Sequence, residues 1–190
     1  MADGPVKVIG ISGKRMVGKD FFCGVAKPHL EAQGFKVLQL ALADAFKLDF
    51  CQSSGCDYAR LLADREYKEQ HRQSMNTFFE KQNQLDPYKY CDMVCHMAKG
   101  GYDILLIPDL RLAKDKLYLQ QQAAQVTWIR IECEETIRKQ FGWVYTEKVD
   151  SHFTECDLDV DQQWHYVVQN TGESASYTKL IKETMDACIK

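Results

Sequence analysis

With 190 residues, 45% of them hydrophobic, 11% aromatic and only four prolines, the chain has the makings of one globular domain, which excludes a disordered, collagenous or solenoid polypeptide. The balance of 24 basic against 27 acidic residues leaves a formal charge of −3 and none of the basic excess of a general nucleic-acid or anionic-membrane binder. No stretch approaches the ~18 apolar residues needed to span a bilayer, and neither a signal peptide, a prenylation box nor an S-K-L address is read at the termini, so a cytoplasmic, monomeric protein acting on a small molecule is expected.

In chain order, Val6 to Ile11 is a β-branched apolar run ending in Ser12-Gly13, the pattern of a buried strand entering a glycine loop. Lys19 to Gln33 has helical spacing, with Phe22, Val25, Ala26 and Leu30 on one side. Pro28 predicts a kink or restart near Lys27, because a proline inside a helix removes a hydrogen bond and clashes with the preceding turn. Gly34 ends that element, and Lys36 to Leu42 reads as a second strand. Residues 44–99 are helical in pattern and rich in charge and aromatics. Strands follow at Asp103 to Asp109, Val126 to Ile131 and His165 to Gln169, with helices near 114–124, 134–140 and 176–189. In the last of these Tyr177, Leu180, Ile181, Thr184, Met185 and Cys188 form one apolar stripe.

Strands that alternate with helices and are apolar on both faces predict a parallel sheet between two helical layers. The expected organisation is a three-layer α/β fold with a five-stranded parallel sheet, and the loop Gly13-Lys14-Arg15-Met16-Val17-Gly18-Lys19 after its first strand makes this a P-loop kinase fold. Its core is 1–43, 100–140 and 164–190, a helical acceptor-binding region spans 44–99, and the polar, acidic stretch at about 141–163 forms a lid.

Gly13-Lys14-Arg15-Met16-Val17-Gly18-Lys19-Asp20 lies between a predicted strand and a predicted helix and reads G-x-x-x-x-G-K, with aspartate where serine or threonine is usual. Glycines at 13 and 18 let the backbone curl so that several N–H groups face one anion. The helix N-terminus adds its positive end, and Lys19 reaches the outer phosphates. Asp20 is either a charged Mg²⁺ ligand or an acid favoured by the helix dipole. Asp109, after four apolar residues, stands where a second aspartate holds Mg²⁺, or is a helix cap. Arg111 follows it at the carboxyl end of the sheet, where open α/β folds bind ligands.

Lys68 and Arg72 share one helix face and can clamp an anionic acceptor. Arg130 inside an apolar strand needs a partner, for which a phosphate serves, and Arg138 stands at the start of the lid. The eight cysteines are scattered without a C-x-x-C pair and read as reduced thiols; Cys91, Cys95 and His96 lack a second ligand pair for zinc. Together these features describe phosphoryl transfer: a loop for ATP, a helical region for the acceptor and a lid that excludes water.

The run Ser12-Gly-Lys-Arg-Met-Val-Gly-Lys-Asp-Phe21 resembles the S-G-K-R-x-x-G-K-D-F loop of the animal-type phosphomevalonate kinases. The similarity continues through Arg60-Leu61-Leu62, Tyr67-Lys68-Glu69, Asp86-Pro87, Asp109 with Arg111, Gly142-Trp143-Val144, Glu155-Cys156, Leu158-Asp159 and Asn170, nearly the whole chain. The resemblance implies a nucleoside-monophosphate-kinase fold and reversible transfer from ATP to (R)-5-phosphomevalonate, giving ADP and 5-diphosphomevalonate, in the mevalonate route to isoprenoids and sterols. It implies that Gly13, Lys14, Arg15, Met16, Val17, Gly18, Lys19 and Asp20 hold the ATP phosphates. Lys14, Arg15, Lys19 and Arg111 would assist transfer, and Arg138, Thr171 and Asp109 would serve the nucleotide and Mg²⁺. Lys68, Arg72, Arg111, Arg130 and Asn170 would bind phosphomevalonate. Where vertebrate-like members carry further arginines, this chain has Asn83, Leu112 and Phe141.

Two other classes remain open to the sequence alone. A nucleoside- or deoxynucleoside-monophosphate kinase would use Tyr67, Phe78 and Phe79 around a base, although helix packing also accounts for them. A nucleotide switch needs N-K-x-D, and Glu147-Lys148-Val149-Asp150 has the wrong first residue.

Overall fold

The computed structural model describes residues 7–98, 101–160 and 163–190. Val6, Lys99 and Asp161, which belong to the expected first strand, helical region and acidic lid, lie outside the described residues.

The strands are β1 (Lys7–Ser12), β2 (Val37–Gln39), β3 (Ile104–Ile107), β4 (Gln125–Glu132) and β5 (Tyr166–Gln169). They form one five-stranded sheet in the order β2-β3-β1-β4-β5, with every pairing parallel. The central strand β1 is buried along its whole length, its Lys7 opposite Ile104 on one side and Gln125 on the other. A Cβ on Gly10 would sit 2.8 Å from the Trp128 ring, so the missing side chain is what lets the indole lie across β1. Alternation sends Ile9 and Ile11 to one face and Val8 to the other.

Helix α1 (Lys19–Ala32) follows β1, and α2 (Leu42–Ser54), α3 (Tyr58–Ala63), α4 (Arg65–Leu85) and α5 (Lys89–Ala98) lie between β2 and β3. Then α6 (Ala113–Gln122) joins β3 to β4, α7 (Glu135–Gln140), α8 (Glu147–Asp150) and α9 (Phe153–Cys156) separate β4 from β5, and α10 (Ser174–Cys188) closes the chain. On one face Phe22, Ala26 and Leu30 of α1 and Ile181 and Met185 of α10 pack on Ile9, Ile11, Leu106 and Ile129. Truncating a fully buried leucine such as Leu30 to alanine there would cost about 2–5 kcal/mol. The opposite face is covered by Leu42, Ala45, Cys91, Val94, Cys95 and Leu119. A separate cluster of Phe50, Cys51, Leu61 and Met75, with Tyr67 and Phe78 against it, gives the helical region its own small core. Two expected base contacts, Tyr67 and Phe78, are thus packing residues.

Four expectations are corrected. Helix α1 runs through Pro28 without a restart: Pro28 and Gly24 are both exposed, so the Gly24 carbonyl that Pro28 leaves without a donor is open to water. The second strand is only Val37–Gln39, and Leu42 already starts α2, since its N–H is taken by Asp109. The stretch after Phe141 contains two short helices where no period was legible. Strand β5, expected to be apolar on both faces, is a half-exposed edge.

Candidate active site

The loop between β1 and α1 has the backbone of an anion cradle. Gly18 caps α1 in the left-handed region (φ 95°), and a Cβ there would lie 2.6 Å from Asn170 Nδ2. A Cβ on Gly13 would lie 2.6 Å from the Ile131 carbonyl oxygen, so both glycines are required by close neighbours. Met16 adopts φ 64°, uncommon for a residue with a side chain and concentrated at functional loops. Lys19 Nζ donates to the carbonyls of Gly13 (2.6 Å) and Lys14 (2.8 Å). Burial and then the Arg111 charge lower its pKa to about 8.

Two residues brace this loop from behind. Asn170, 6% exposed, donates from Nδ2 to the Val17 carbonyl (3.0 Å) and accepts from Gly172 N–H (3.0 Å). Arg138, 8% exposed, donates from Nε to the Arg15 carbonyl (3.0 Å), its guanidinium 4.0 Å above the Trp143 ring. Burial pulls the Arg138 pKa down from its ordinary value. Of these two, Asn170 also lines the cavity in front of the loop.

Two cavities open beside the cradle. The first, about 800 Å³, is walled by Lys19, Asp20, Lys47, Phe141, Gly172 and Tyr177. The second, about 860 Å³, lies under the helical region against Arg72, Asn76, Phe79, Asn83, Lys114 and Asp115. Arg15, Lys68, Asp109 and Arg111 line both, so four residues expected from sequence mark the place where the cavities meet. Lys68 is held below its ordinary pKa by burial and by the neighbouring Lys47, Arg72 and Arg111 charges. Arg72 is paired with Glu69 on the same helix face at 2.7 Å. Thr171 is exposed and lines neither cavity.

The two expected metal aspartates differ. Asp20, exposed in the first turn of α1, has no hydrogen bond among the described residues and faces the first cavity. Asp109 uses one carboxylate oxygen for Leu42 N–H and the other for Ala43 N–H, each at 2.8 Å, and so caps α2 from the end of β3. Burial raises its pKa against those hydrogen bonds.

The lid segment supplies carboxylates to the cradle's cations. Lys14 is paired with Asp159 and donates to the Glu155 carbonyl (2.7 Å). Arg15 holds Asp150 at 2.8 Å and donates to the Val144 carbonyl at 2.7 Å, Arg111 is paired with Glu155, and Arg130 holds Asp159 at 3.0 Å while donating to Ser12 Oγ at 3.2 Å. Asp150 also accepts from Trp143 Nε1 (3.1 Å) and Thr146 N–H (2.8 Å). Burial works against its charge, but the hydrogen bonds from Arg15, Thr146 and Trp143 prevail and bring it down to about 2. Each of these guanidinium and ammonium groups is one that could equally hold a phosphate oxygen.

Sequence reading passed over Lys47, paired with Asp44 at 2.6 Å in the first cavity, and Lys114 in the second. The signal for Lys114 was a lysine in the first turn of a helix, the end where the dipole disfavours a cation. The partners Asp150, Glu155 and Asp159 had no local signal, because Asp150 and Asp159 are more than a hundred positions from the loop cations they pair with and Glu155 is 44 from Arg111.

A parallel α/β sheet with a glycine-lysine cradle at the carboxyl end of its central strand, facing paired cavities, defines a P-loop kinase. A solved gluconokinase from Sinorhizobium meliloti 1021 shares this fold: it superposes with a TM-score of 0.53 at 11% identity, covering 96% of this chain and 93% of its own. The chain belongs to the phosphomevalonate kinase family, whose sequence pattern matches residues 11–125. It is 25% identical over 158 residues to the phosphomevalonate kinase of Drosophila melanogaster, covering 81% of this chain and 82% of that one. The activity is ATP-dependent phosphorylation of phosphomevalonate.

Proposed function

We propose that the first cavity takes ATP, the second takes 5-phosphomevalonate, and the γ-phosphoryl group passes between them at Arg15, Lys68, Asp109 and Arg111. The observation that carries this division is that these four residues line both cavities while the cradle opens on the first alone through Gly18, Lys19 and Asp20. Loop N–H groups, the α1 N-terminus and Lys19 would receive the phosphates, and Lys14, Arg15 and Arg111 would exchange lid carboxylates for phosphate oxygens. The acceptor's phosphate oxygen attacks the γ-phosphorus, the bond to the β-phosphate oxygen breaks, and ADP leaves with the electron pair. Lys68 and Arg72 neutralise the acceptor so that two anions can approach. Asn170, Arg138 and Arg130 position the loop and lid.

A hard divalent cation fits the donor set, since Asp20 offers an unengaged carboxylate in the first cavity. Mg²⁺ bound there would neutralise charge on the β- and γ-phosphates, with Asp20 its protein ligand and Asp109 behind it fixing α2. The protein works in the cytosol as a monomer on a small-molecule acceptor, with neither nucleic acid nor membrane as a partner.

The test is a coupled ADP-release assay with Mg·ATP, offering phosphomevalonate and a panel of nucleoside monophosphates to the wild type and to Lys68→Met. Turnover with phosphomevalonate, and a variant whose acceptor KM rises at least tenfold while KM for ATP holds, supports the division. A rise in KM for ATP alone would reverse it.

A further inference from the structure

The second cavity holds an ammonium that the transfer step does not use. Lys114 is half-buried in the first turn of α6, and its Nζ donates to the side-chain carbonyl of Asn83 and to the backbone carbonyl of Pro87. Both acceptors are neutral, and the Tyr88 ring, 5.9 Å from Nζ, is neutral too. Among the described residues no carboxylate forms an ion pair with Lys114. The cation-rich junction differs: there Arg15 and Arg111 each face a lid carboxylate. A lysine at the N-terminal end of a helix opposes the helix dipole, and the neighbouring Asp115 of the same helix acts on its charge through space without pairing with it. A carboxylate that pairs with the ammonium directly, in this concave and partly desolvated site, is therefore one that enters the cavity.

The geometry says which end of the acceptor that is. The phosphate must lie at the junction to reach the γ-phosphoryl group, so the rest of the molecule runs into the second cavity, which Lys114 lines and the first cavity does not share. Arg111 and Lys114 are three residues apart, which holds their α-carbons within about 10 Å, comparable to the reach of a five-carbon acid from its phosphate to its carboxylate. We infer that Lys114, positioned by Asn83 and Pro87, binds the carboxylate of the acceptor and is the group that restricts this enzyme to phosphomonoesters carrying an acid at the far end. The inference rests on the placement of phosphomevalonate in the second cavity.

Two acceptors separate this role from a structural one: phosphomevalonate and its primary carboxamide, alike in shape but differing in charge. The wild type is expected to prefer the acid by on the order of 10²-fold in kcat/KM. In Lys114→Met the acid should lose most of that advantage through KM, with KM for ATP and kcat/KM for the carboxamide within about twofold of wild type; Lys114→Arg should keep most of the preference. A Lys114→Met enzyme that keeps the wild-type acid-to-amide ratio, or loses both acceptors equally, overturns the assignment. If the assignment of cavities were itself at fault, Lys68→Met would raise KM for ATP, a result visible without any Lys114 variant.

Discussion

Replacing Lys19 by methionine should separate catalysis from stability. In the folded protein burial and Arg111 hold this ammonium at about 8, against the ordinary lysine value of 10.5. That gap withholds about 3 kcal/mol of stability at neutral pH, because the native state must keep a proton it binds weakly. Between the two values the unfolded chain holds the proton that the native state has released, so wild-type stability rises with pH through this window. Methionine removes the desolvated charge but also the hydrogen bonds to the Gly13 and Lys14 carbonyls, each contributing about 1 kcal/mol. The net expectation is a variant about 1 kcal/mol more stable than wild type near neutrality, with Tm higher by roughly 2–4 °C, and less stable by a similar amount near pH ~9.5. Turnover should fall by on the order of 10²-fold or more, since the phosphoryl group loses a charged donor. Urea unfolding of both proteins at the two pH values checks this. A stability difference that does not move with pH would refute the reasoning, whatever the loss of activity.

Asp150→Asn should cost on the order of 1–2 kcal/mol at neutral pH, because the carboxylate pairs with Arg15 and accepts from Trp143 and Thr146. The wild-type contribution is present above the ordinary carboxylate range and lost as pH falls toward about 2, so the two proteins should converge in acid unfolding titrations. Asp115→Asn should act in the opposite direction. Burial raises Asp115 to about 6, so removing the charge should stabilise by about 2 kcal/mol at pH ~7 and by nothing below pH ~4, read by the same titration. Tyr177 is 3% exposed and its hydroxyl has no hydrogen-bond partner among the described residues. Tyr177→Phe should therefore raise Tm, by an amount corresponding to about 1 kcal/mol in calorimetry.

The loop was legible because glycines and a lysine at fixed spacing, between a β-branched run and a helix, leave few other folds for that segment. The same holds for the helical stripe of Tyr177, Ile181 and Met185, which packs as its period requires. Legibility failed where the deciding contact is distant or the element short. Pro28 is tolerated where the carbonyl it leaves without a donor, that of Gly24, is on the exposed face, a circumstance that a general rule against helical proline does not weigh. The second strand stops early because Asp109, far along the chain, claims the N–H groups of Leu42 and Ala43. Helices α8 and α9 have four residues each, too few to show a period. Arg138 and Asn170 are expected site residues, Asn170 from resemblance, but that they brace the loop's carbonyls from behind is a tertiary fact.

The position of β1 at the middle of the sheet has a consequence for the order of assembly. Its hydrogen-bonding partners are β3, whose Ile104 lies opposite Lys7, and β4, whose Gln125 lies opposite the same residue. These pairings join segments on the order of a hundred residues apart, a topology that places the domain among the slower folders. On the ribosome the Gly13–Asp20 turn is made more than a hundred residues before the Ile131 carbonyl and Asn170 amide that shape it. The helical region, with its own cluster around Phe50 and Leu61, can collapse in the meantime. Competence to hold a nucleotide is therefore a late event in the biogenesis of this chain, although the loop itself precedes the partners that shape it.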